Sequence, residues 1–215
     1  MKKYILAACL AAISSVSAFA QTTDEYKKSE FYVGYSNNQV DSGSDSGDSV
    51  ESFFDDRESF NGFEAAGVYN VSRYFGVKGD VSGTYKNQNF SVPVATSPTT
   101  TVTTNFDVKR SVYNFLGGVQ IKDNSKDTRF KPFAHALVGA GHARYTVKNV
   151  TCTGTVCPGF EDSGSETGVA GAFGGGLDIK AMNKISIRAF QVDYNPIRIN
   201  GEISHNVRLG AGIVF

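Results

Sequence analysis

Strict alternation of side-chain character is the feature that most constrains this chain. Between residues 75 and 85 the odd positions are Phe, Val, Gly, Val, Gly and Tyr, and the even positions from 78 onward are Lys, Asp, Ser and Thr. The final stretch repeats the pattern, with Val207, Leu209, Ala211, Ile213 and Phe215 on one face. Because successive side chains of a strand point to opposite faces, the pattern predicts β-strands with one apolar face.

Eight segments of this kind follow one another along the chain. Most are longer than the five or six residues, roughly, of a soluble strand, and about 9–11 tilted residues cross an outer membrane. A half-buried strand of a soluble sandwich gives the same alternation, but not this length. The segments are 29–37, 59–70, 73–86, 106–121, 129–146, 166–180, 184–194 and 204–215.

The connections between these segments alternate in length. Short ones are expected at 70–72, 122–128 and 181–183, and long polar ones at 38–58, 87–105 and 148–165, with a shorter one at 195–203. Short turns on one side and long loops on the other are typical of bacterial outer-membrane barrels. An even number of crossings places both chain ends on the short-turn side, in the periplasm.

The first 20 residues have the three parts of a secretory signal peptide. Lys2 and Lys3 form a basic start, residues 4–16 are apolar, and Ala18-Phe19-Ala20 is a small-residue cleavage site. We therefore expect a signal peptide at 1–20, an N-terminal segment at 21–28 and a barrel domain at 29–215.

Composition narrows the function classes. The chain has 21 basic and 21 acidic residues, so it lacks the positive surplus that neutralises phosphates, and no nucleic-acid partner is expected. After Gln21 there is no run of about 18 apolar residues, which a transmembrane helix needs. Since only helices and closed barrels satisfy their backbone groups in lipid, the alternating strands predict an all-β, eight-stranded antiparallel up-and-down transmembrane barrel.

The inward face of such a barrel is charged. An eight-stranded barrel is just wide enough to be filled by side chains, so we expect an ion-paired polar plug. A narrow ion pathway and a catalytic carboxylate set are the alternatives. The expected interior residues are Glu64, Lys78, Asp80, Arg110, Asn114, Asp178, Arg188 and Arg208.

The cysteines and the acidic segment do not predict a metal site or a cofactor. Cys152 and Cys157 are five apart, which in an oxidising compartment predicts a local disulfide rather than a zinc site. Residues 41–48 are rich in Asp and Ser but lack the spacing and closing Glu of an EF-hand, which favours a solvated loop.

Aromatic residues cluster near both ends of the predicted strands, as expected for the two membrane interfaces. Tyr35, Tyr85, Tyr113, Tyr145 and Tyr194 lie near the long connections. Near the short turns lie Tyr69, Tyr74, Phe75, Phe130, Phe133 and Phe215.

No constellation of catalytic residues stands out. Ser204 and His205 are adjacent and point to opposite faces of a strand, and His135 and His142 are seven apart, which also places them on opposite faces. No GxSxG nucleophile elbow is present. We therefore expect that the protein is not an enzyme.

The C-terminal residues 205–215, ending in Phe215, resemble the closing strand of outer-membrane barrels. Residues 185–194 and 133–139 resemble strands of the OmpA-like, porin-family small barrels. The resemblance implies that the barrel assembly machinery reads the terminal Phe215. One strand fits poorly, since the phase that puts Ile185 and Ile187 outward also puts Gln191 and Asp193 outward. Either a bulge reverses the phase, or these two lie above the hydrocarbon.

These observations predict a non-enzymatic, monomeric outer-membrane barrel in contact with membrane lipid and lipopolysaccharide. Its loops would serve envelope integrity or surface interaction. The alternatives are a lipid-A-modifying outer-membrane enzyme and a secreted soluble β-sandwich.

Overall fold

The computed structural model describes residues 26–41, 57–97, 100–152, 163–182 and 184–215, with the side chains of 92, 94–97 and 100–102 outside that description. These residues form eight strands. The strands are β1 Ser29–Asp41, β2 Arg57–Asn70, β3 Phe75–Ser97, β4 Thr100–Lys122, β5 Phe130–Cys152, β6 Ser163–Lys180, β7 Ser186–Ile199 and β8 Glu202–Val214.

The strands close into one antiparallel barrel, which confirms the predicted fold class. Each strand pairs with the next along the chain, and β8 pairs back with β1 from Tyr32↔Val214 to Gln39↔Val207. The main-chain groups of Phe31 and Phe215 exchange two further hydrogen bonds at 3.2 and 2.8 Å. A soluble sandwich of two separate sheets is therefore excluded, because closure leaves no sheet edge within the barrel.

Alternation along the strands separates the inner from the outer face as predicted. In β3, Val77 and Val81 are 52% and 40% exposed on the outside, whereas Lys78 and Asp80 are buried inside. In β8, Leu209 and Ile213 are exposed and Arg208 is buried. The outer face is thus apolar and the inner face polar, the pattern that a lipid environment requires.

The two ends of the barrel differ. We call the end with connections 71–74, 123–129 and 181–185 the turn end, and the opposite end the loop end. The segment before β1 also lies at the turn end, where the Lys27 amide donates to the Asn124 carbonyl at 3.2 Å and Tyr26 bridges to Ser125. Both described chain ends therefore lie on the same side of the barrel.

Two of the four expected long connections are wrong. Most of 87–105 is strand, because β3 and β4 stay paired from Phe75↔Ile121 to Ser97↔Thr100. The Phe90 and Phe106 rings stack at 5.5 Å within this extension. The run of Thr and Val after Thr100 has high β propensity, which outweighs its polar character.

The connection expected at 195–203 is reduced to a tight turn. β7 continues to Ile199 and β8 begins at Glu202, which leaves only Asn200 and Gly201 between them. Both residues have positive φ, 53° and 94°, as a type I′ hairpin turn requires. The Asn-Gly pair is a strong signal for such a turn.

Aromatic rings are exposed near both ends of the outer surface. Tyr35, Tyr85 and Tyr194 lie toward the loop end, and Tyr69, Tyr74, Phe75, Phe130 and Phe215 toward the turn end. Phe133 was expected among the latter, but it is only 6% exposed and points into the barrel. Its odd position in β5 shares the inward phase of Lys131 and His135.

Candidate functional site

The centre of the barrel interior is built around the guanidinium of Arg208. Arg208 donates from Nη2 and Nε to Asp193 Oδ2 at 2.7 and 3.0 Å, and from Nη1 to Asp80 Oδ1 at 2.8 Å. Glu64 Oε1 lies 3.7 Å from Nη2. The four side chains come from strands β8, β7, β3 and β2 and are at most 2% exposed. A buried guanidinium needs such partners, since a buried unpaired charge is strongly destabilising.

Lys78 and His135 extend this cluster across the barrel. The Lys78 ammonium lies 3.7 Å from Asp80 and 3.9 Å from Glu64. It is also 3.3 Å from Nδ1 of His135, whose Nε2 lies 2.9 Å from Asp193 Oδ1. The charges of the cluster are thus linked by contacts that run from β2 to β8.

A second guanidinium, that of Arg188, lies nearer the turn end. It packs between two rings, with its Cζ 4.2 Å from the Tyr32 centroid and 4.1 Å from the Phe133 centroid. Its Nε and Nη2 donate to the two carboxylate oxygens of Asp178 at 2.8 and 3.2 Å, and Nη1 donates to Gln191 at 2.7 Å. The two rings on either side and the bidentate bonds to Asp178 together fix this guanidinium in position.

Lys122 closes the network at the turn end. Its ammonium donates to Asp178 at 3.1 Å and to Glu30 in a short contact. Asn70, two strands away, donates to the Lys27 carbonyl at 2.7 Å. The segment before β1 is therefore tied to the mouth of the barrel below the charged network.

Toward the loop end the interior loses its charges, and a cluster of apolar side chains lies there among neutral polar ones such as Asn114. Following β4 from the turn end, the inward positions change from Lys122 and Gln120 to Leu116 and Val112. Buried side chains of the charged network and of this apolar layer therefore occupy both halves of the barrel. The cluster consists of Phe60, Val112, Leu116, Leu137, Ala170, Ala172 and Ile197, with Val40 and Ile199 packed against it.

Most of the expected interior residues come together in this network. The structure places Glu64, Lys78, Asp80, Asp178, Arg188 and Arg208 inside it, and buried Asn114 just above, donating to Ser82 at 3.3 Å. The structure corrects the prediction that Arg110 belongs to the interior. Its side chain is 43% exposed and pairs with Glu58 at 2.8 Å at the loop-end rim. Because β4 is longer than expected, the inward position of Arg110 lies above the filled interior.

Several network residues were not expected from the sequence. The structure adds Gln191 and Asp193 because the β7–β8 register shifts between Arg188 and Gln191. This bulge reverses the phase of β7, the first of the two explanations considered for that strand. His135, Lys122 and Glu30 also belong to the network, although no sequence signal distinguished them from ordinary polar residues of strand ends.

The predicted disulfide, signal peptide and acidic segment lie wholly or partly outside the described residues, whereas Phe215 is described. Cys152 is the last residue of β5, and Cys157 lies outside the described residues, as do residues 1–20 and most of the acidic segment. Phe215 pairs with Phe31 through the main chain, and its side chain is 48% exposed on the outer surface.

The histidines on the outer surface do not form a catalytic triad within the described residues. His142 Nδ1 lies 2.8 Å from Thr167 Oγ1, and His205 Nδ1 lies 2.5 Å from the Tyr194 hydroxyl. No carboxylate of the described chain lies within salt-bridge distance of either histidine. Nor do three or more His, Cys, Asp or Glu side chains in these ranges gather as metal ligands.

Comparison with known proteins agrees with this geometry. Residues 5–215 match the family model described as "Outer membrane protein beta-barrel domain". No curated protein sequence matches the chain. Over the described residues, no helix is long and apolar enough to cross a bilayer.

Among solved structures, the chain is similar to two crystal structures of Ail, the attachment invasion locus protein of Yersinia pestis. The structure of Ail with the heparin analogue sucrose octasulfate has a TM-score of 0.53 and 19% identity, covering 87% of this chain and 98% of that one. The other Ail structure has a TM-score of 0.52 and 19% identity, covering 88% and 99%. At this identity the likeness shows the fold alone.

Proposed function

The chain belongs to the family of outer-membrane protein β-barrel domains and is a bacterial outer-membrane protein, and we propose that it is a sealed, non-enzymatic barrel. In this proposal the loop end serves envelope integrity or surface interaction. The observation that carries it is the filled interior. The interior holds a guanidinium network in one half and an apolar layer in the other. The barrel would therefore act as a support for the surface at its loop end.

Ion conduction is disfavoured by the apolar layer. An ion that passed the charged network would next meet Leu116, Leu137 and Ile197, none more than 5% exposed, where the buried polar side chains are few and neutral and do not replace its hydration shell. Reconstituted protein in planar bilayers is expected to give no steady single-channel current. A reproducible conductance that disappears with the Arg208→Gln variant would overturn the sealed-barrel proposal.

The enzymatic alternative is tested on lipid A. His142 and Thr167 on the outer face resemble part of a nucleophilic site, but no described carboxylate lies within salt-bridge distance of His142. Mass spectra of lipid A from cells with and without the protein are expected to be the same. A mass change that disappears in the His142→Gln variant would establish a lipid-A-modifying enzyme instead.

Lipopolysaccharide is the partner that the outer surface favours. Arg198 lies four residues beyond Tyr194 on β7, and Lys109 lies four beyond Tyr113 on β4. Together with Arg144 of β5, these exposed cations follow the loop-end aromatic residues at the level where lipid A carries its phosphates. Charge-assisted bonds to phosphate are strong at such a partly dehydrated interface.

The test compares lipopolysaccharide that copurifies with the protein. The triple variant Lys109→Gln, Arg144→Gln, Arg198→Gln is expected to lose most of it and to sensitise cells to large hydrophobic antibiotics. A triple variant at the turn end, Lys126→Gln, Arg129→Gln, Lys184→Gln, removes the same charge and serves as control. If both triples retain lipopolysaccharide as the wild type does, the proposed contact is wrong.

Attachment to another surface is a second candidate role. The similar Ail structure is a complex with a sulfated heparin analogue. In this chain, Lys86 and Arg110 lie at the loop-end rim, 3.6 and 2.8 Å from a single carboxylate, that of Glu58. Cells carrying the protein are expected to bind immobilised heparin, and the double variant Lys86→Gln, Arg110→Gln to lose that binding.

A further inference from the structure

The turn end gathers several basic side chains that form no ion pair with the part of the chain that the structure describes. Within the described ranges, no carboxylate lies within salt-bridge distance of Lys27, Lys126, Arg129, Lys131, Lys180 or Lys184. These residues come from the segment before β1, from two of the turns and from the adjoining ends of β5 and β6. Repulsion between them is a cost that an external anion would relieve.

Several of these ammonium groups donate to neutral backbone oxygens instead. Lys131 donates to the Ser125 carbonyl and Lys180 to the Lys126 carbonyl, both at 2.7 Å, and Lys27 donates to the Lys184 carbonyl at 3.4 Å. An ammonium has three N–H donors, so these bonds leave donors for another acceptor. Burial lowers the pKa of Lys27, and the nearby Lys122 and Lys131 ammoniums lower it further, although Glu30 and Asp178 oppose this.

The carboxylates at this end are largely engaged elsewhere. Glu30 and Asp178 are bonded to Lys122. Asp123 accepts from Arg73 at 3.1 Å and from the Ser125 amide at 3.1 Å. Asp127, exposed in the same turn as Lys126, forms no ion pair within the described chain. Among the described residues, the cations at this end therefore outnumber the carboxylates that could neutralise them.

The surplus lies where a bilayer surface meets the barrel. The Arg129 guanidinium lies 5.8 Å from the Phe130 ring centroid, and that of Arg73, which is paired with Asp123, lies 5.0 Å from the Tyr74 ring centroid. Both rings are more than half exposed on the outer surface. Aromatic belts of barrels mark the headgroup level, so the adjoining cations face headgroups rather than open water.

We propose that the turn end binds the phosphate headgroups of anionic phospholipids in the adjoining leaflet, with Lys126, Arg129 and Lys184 in direct contact. The site lies opposite the loop end and is independent of the role proposed there. Lipid is favoured over a dissolved anion because Arg129, one of these cations, lies beside the exposed ring of Phe130, which anchors in the bilayer. Each cation near an anionic surface adds about 1 kcal/mol of attraction, or roughly a five-fold change in binding.

The test uses the whole mature chain refolded in detergent and titrated with equal amounts of phosphatidylglycerol and phosphatidylcholine of the same acyl chains. Native mass spectrometry counts the lipids retained. The wild type is expected to retain more phosphatidylglycerol. The triple variant Lys126→Gln, Arg129→Gln, Lys184→Gln, all exposed residues, is expected to lower this ratio by at least about five-fold.

The control triple Lys109→Gln, Arg144→Gln, Arg198→Gln removes three exposed cations at the loop end and is expected to leave the ratio unchanged. Heat-modifiable migration on a gel shows whether each variant is folded, and the single variant Arg129→Gln serves where the triple is not. A wild-type ratio of one would overturn the proposal, as would an equal loss in both triples, which indicates bulk charge. Loss of the preference in added inorganic phosphate would assign the site to free phosphate instead.

Discussion

The Arg208 guanidinium and the Asp193 carboxylate meet across paired strands β7 and β8, with Nη2 2.7 Å from Oδ2, and neither side chain is more than 1% exposed. The two residues face each other in the register Asp193↔Arg208. Asp193 reaches this position only because of the bulge after Arg188. A local irregularity of the backbone thus completes the central ion network of the barrel.

Asp193 is therefore expected to be important for stability. The Asp193→Asn variant keeps the shape but leaves Arg208 and His135 with less negative charge, and the expected loss is about 3 kcal/mol of unfolding free energy. Urea titration in lipid vesicles, followed by the heat-modifiable gel shift, measures it. The exposed Asp127→Asn variant is the control and should unfold like the wild type. Equal stability of both variants would show that the network tolerates the loss of a charge.

The outer face is tested at Val81, in the middle of the part of β3 that pairs with β2, and at Ile213, close to the turn end of β8. Val81 and Ile213 are 40% and 45% exposed and face outward. Val81→Arg is expected to cost about 2–4 kcal/mol in a bilayer, and Ile213→Arg less, because the cost of a charge falls from the midplane toward the interface. Asn87→Arg, on the same face of β3 but beyond the last residue that pairs with β2, should cost much less. If Val81→Arg and Ile213→Arg fold in lipid as stably as the wild type, these positions do not face the hydrocarbon.

The strand count, the strand order and the facing of most side chains were predictable, because alternation with period two is a property of local sequence. Lys78 and Val81 illustrate this, since their neighbours alone determine their faces. Two kinds of feature were not predictable. The bulge that turns Asp193 inward depends on pairing with β8, and the length of β3 depends on pairing with β4. The same pairing explains Arg110. The sequence correctly predicted that this position faces inward, but not that it lies at the loop-end rim, above the charged network.

Two adjacent glycines in β4 are expected to respond oppositely to a methyl group. A Cβ on Gly118 would lie 2.1 Å from the Ala136 carbonyl oxygen and 2.9 Å from the Leu137 Cα, so the backbone would have to move. A Cβ on Gly117 would meet nothing nearer than 4.0 Å. Gly118→Ala is expected to lose about 1–3 kcal/mol of unfolding free energy, the usual cost of overpacking. Gly117→Ala should be neutral, and a comparable loss in both would argue against the close approach of β4 and β5.

The stability of the turn at 123–129 is expected to depend on pH through the ionisation of the Asp123 carboxyl. The hydrogen bond from Arg73 holds the pKa of this carboxyl well below its usual value of 3.8, and the bonds from Ser125 and Thr128 lower it further. A depressed folded-state pKa stabilises the turn above the unfolded pKa, and this stabilisation is lost as the pH falls toward the folded value. Arg73→Gln should therefore raise the pKa of Asp123 toward 3.8, as followed by carboxyl carbon NMR shifts in detergent. An unchanged titration would show that Arg73 does not act on Asp123.

The orientation in the membrane is expected to place the loop end outside the cell and the turn end in the periplasm. The connections at 42–56 and 153–162 contain Phe53, Phe54 and Phe160, so chymotrypsin added to intact cells should cut there. Phe90 and Phe106 should resist, because they lie in the paired extensions of β3 and β4 rather than in a loop. Trypsin should spare Lys126 in intact cells and cut beside it once the outer membrane is opened.

Fragment masses decide between the two orientations and also test the revised strand lengths. Cleavage after Phe90 or Phe106 at the same rate as after Phe53 would restore the long loop first expected at 87–105. Cleavage beside Lys126 in intact cells, with 42–56 and 153–162 untouched, would invert the barrel. Inversion would place the basic turn end in the leaflet that holds lipopolysaccharide. The cations Lys126, Arg129 and Lys184 would then meet lipid A phosphates, and the roles proposed for the two ends would exchange.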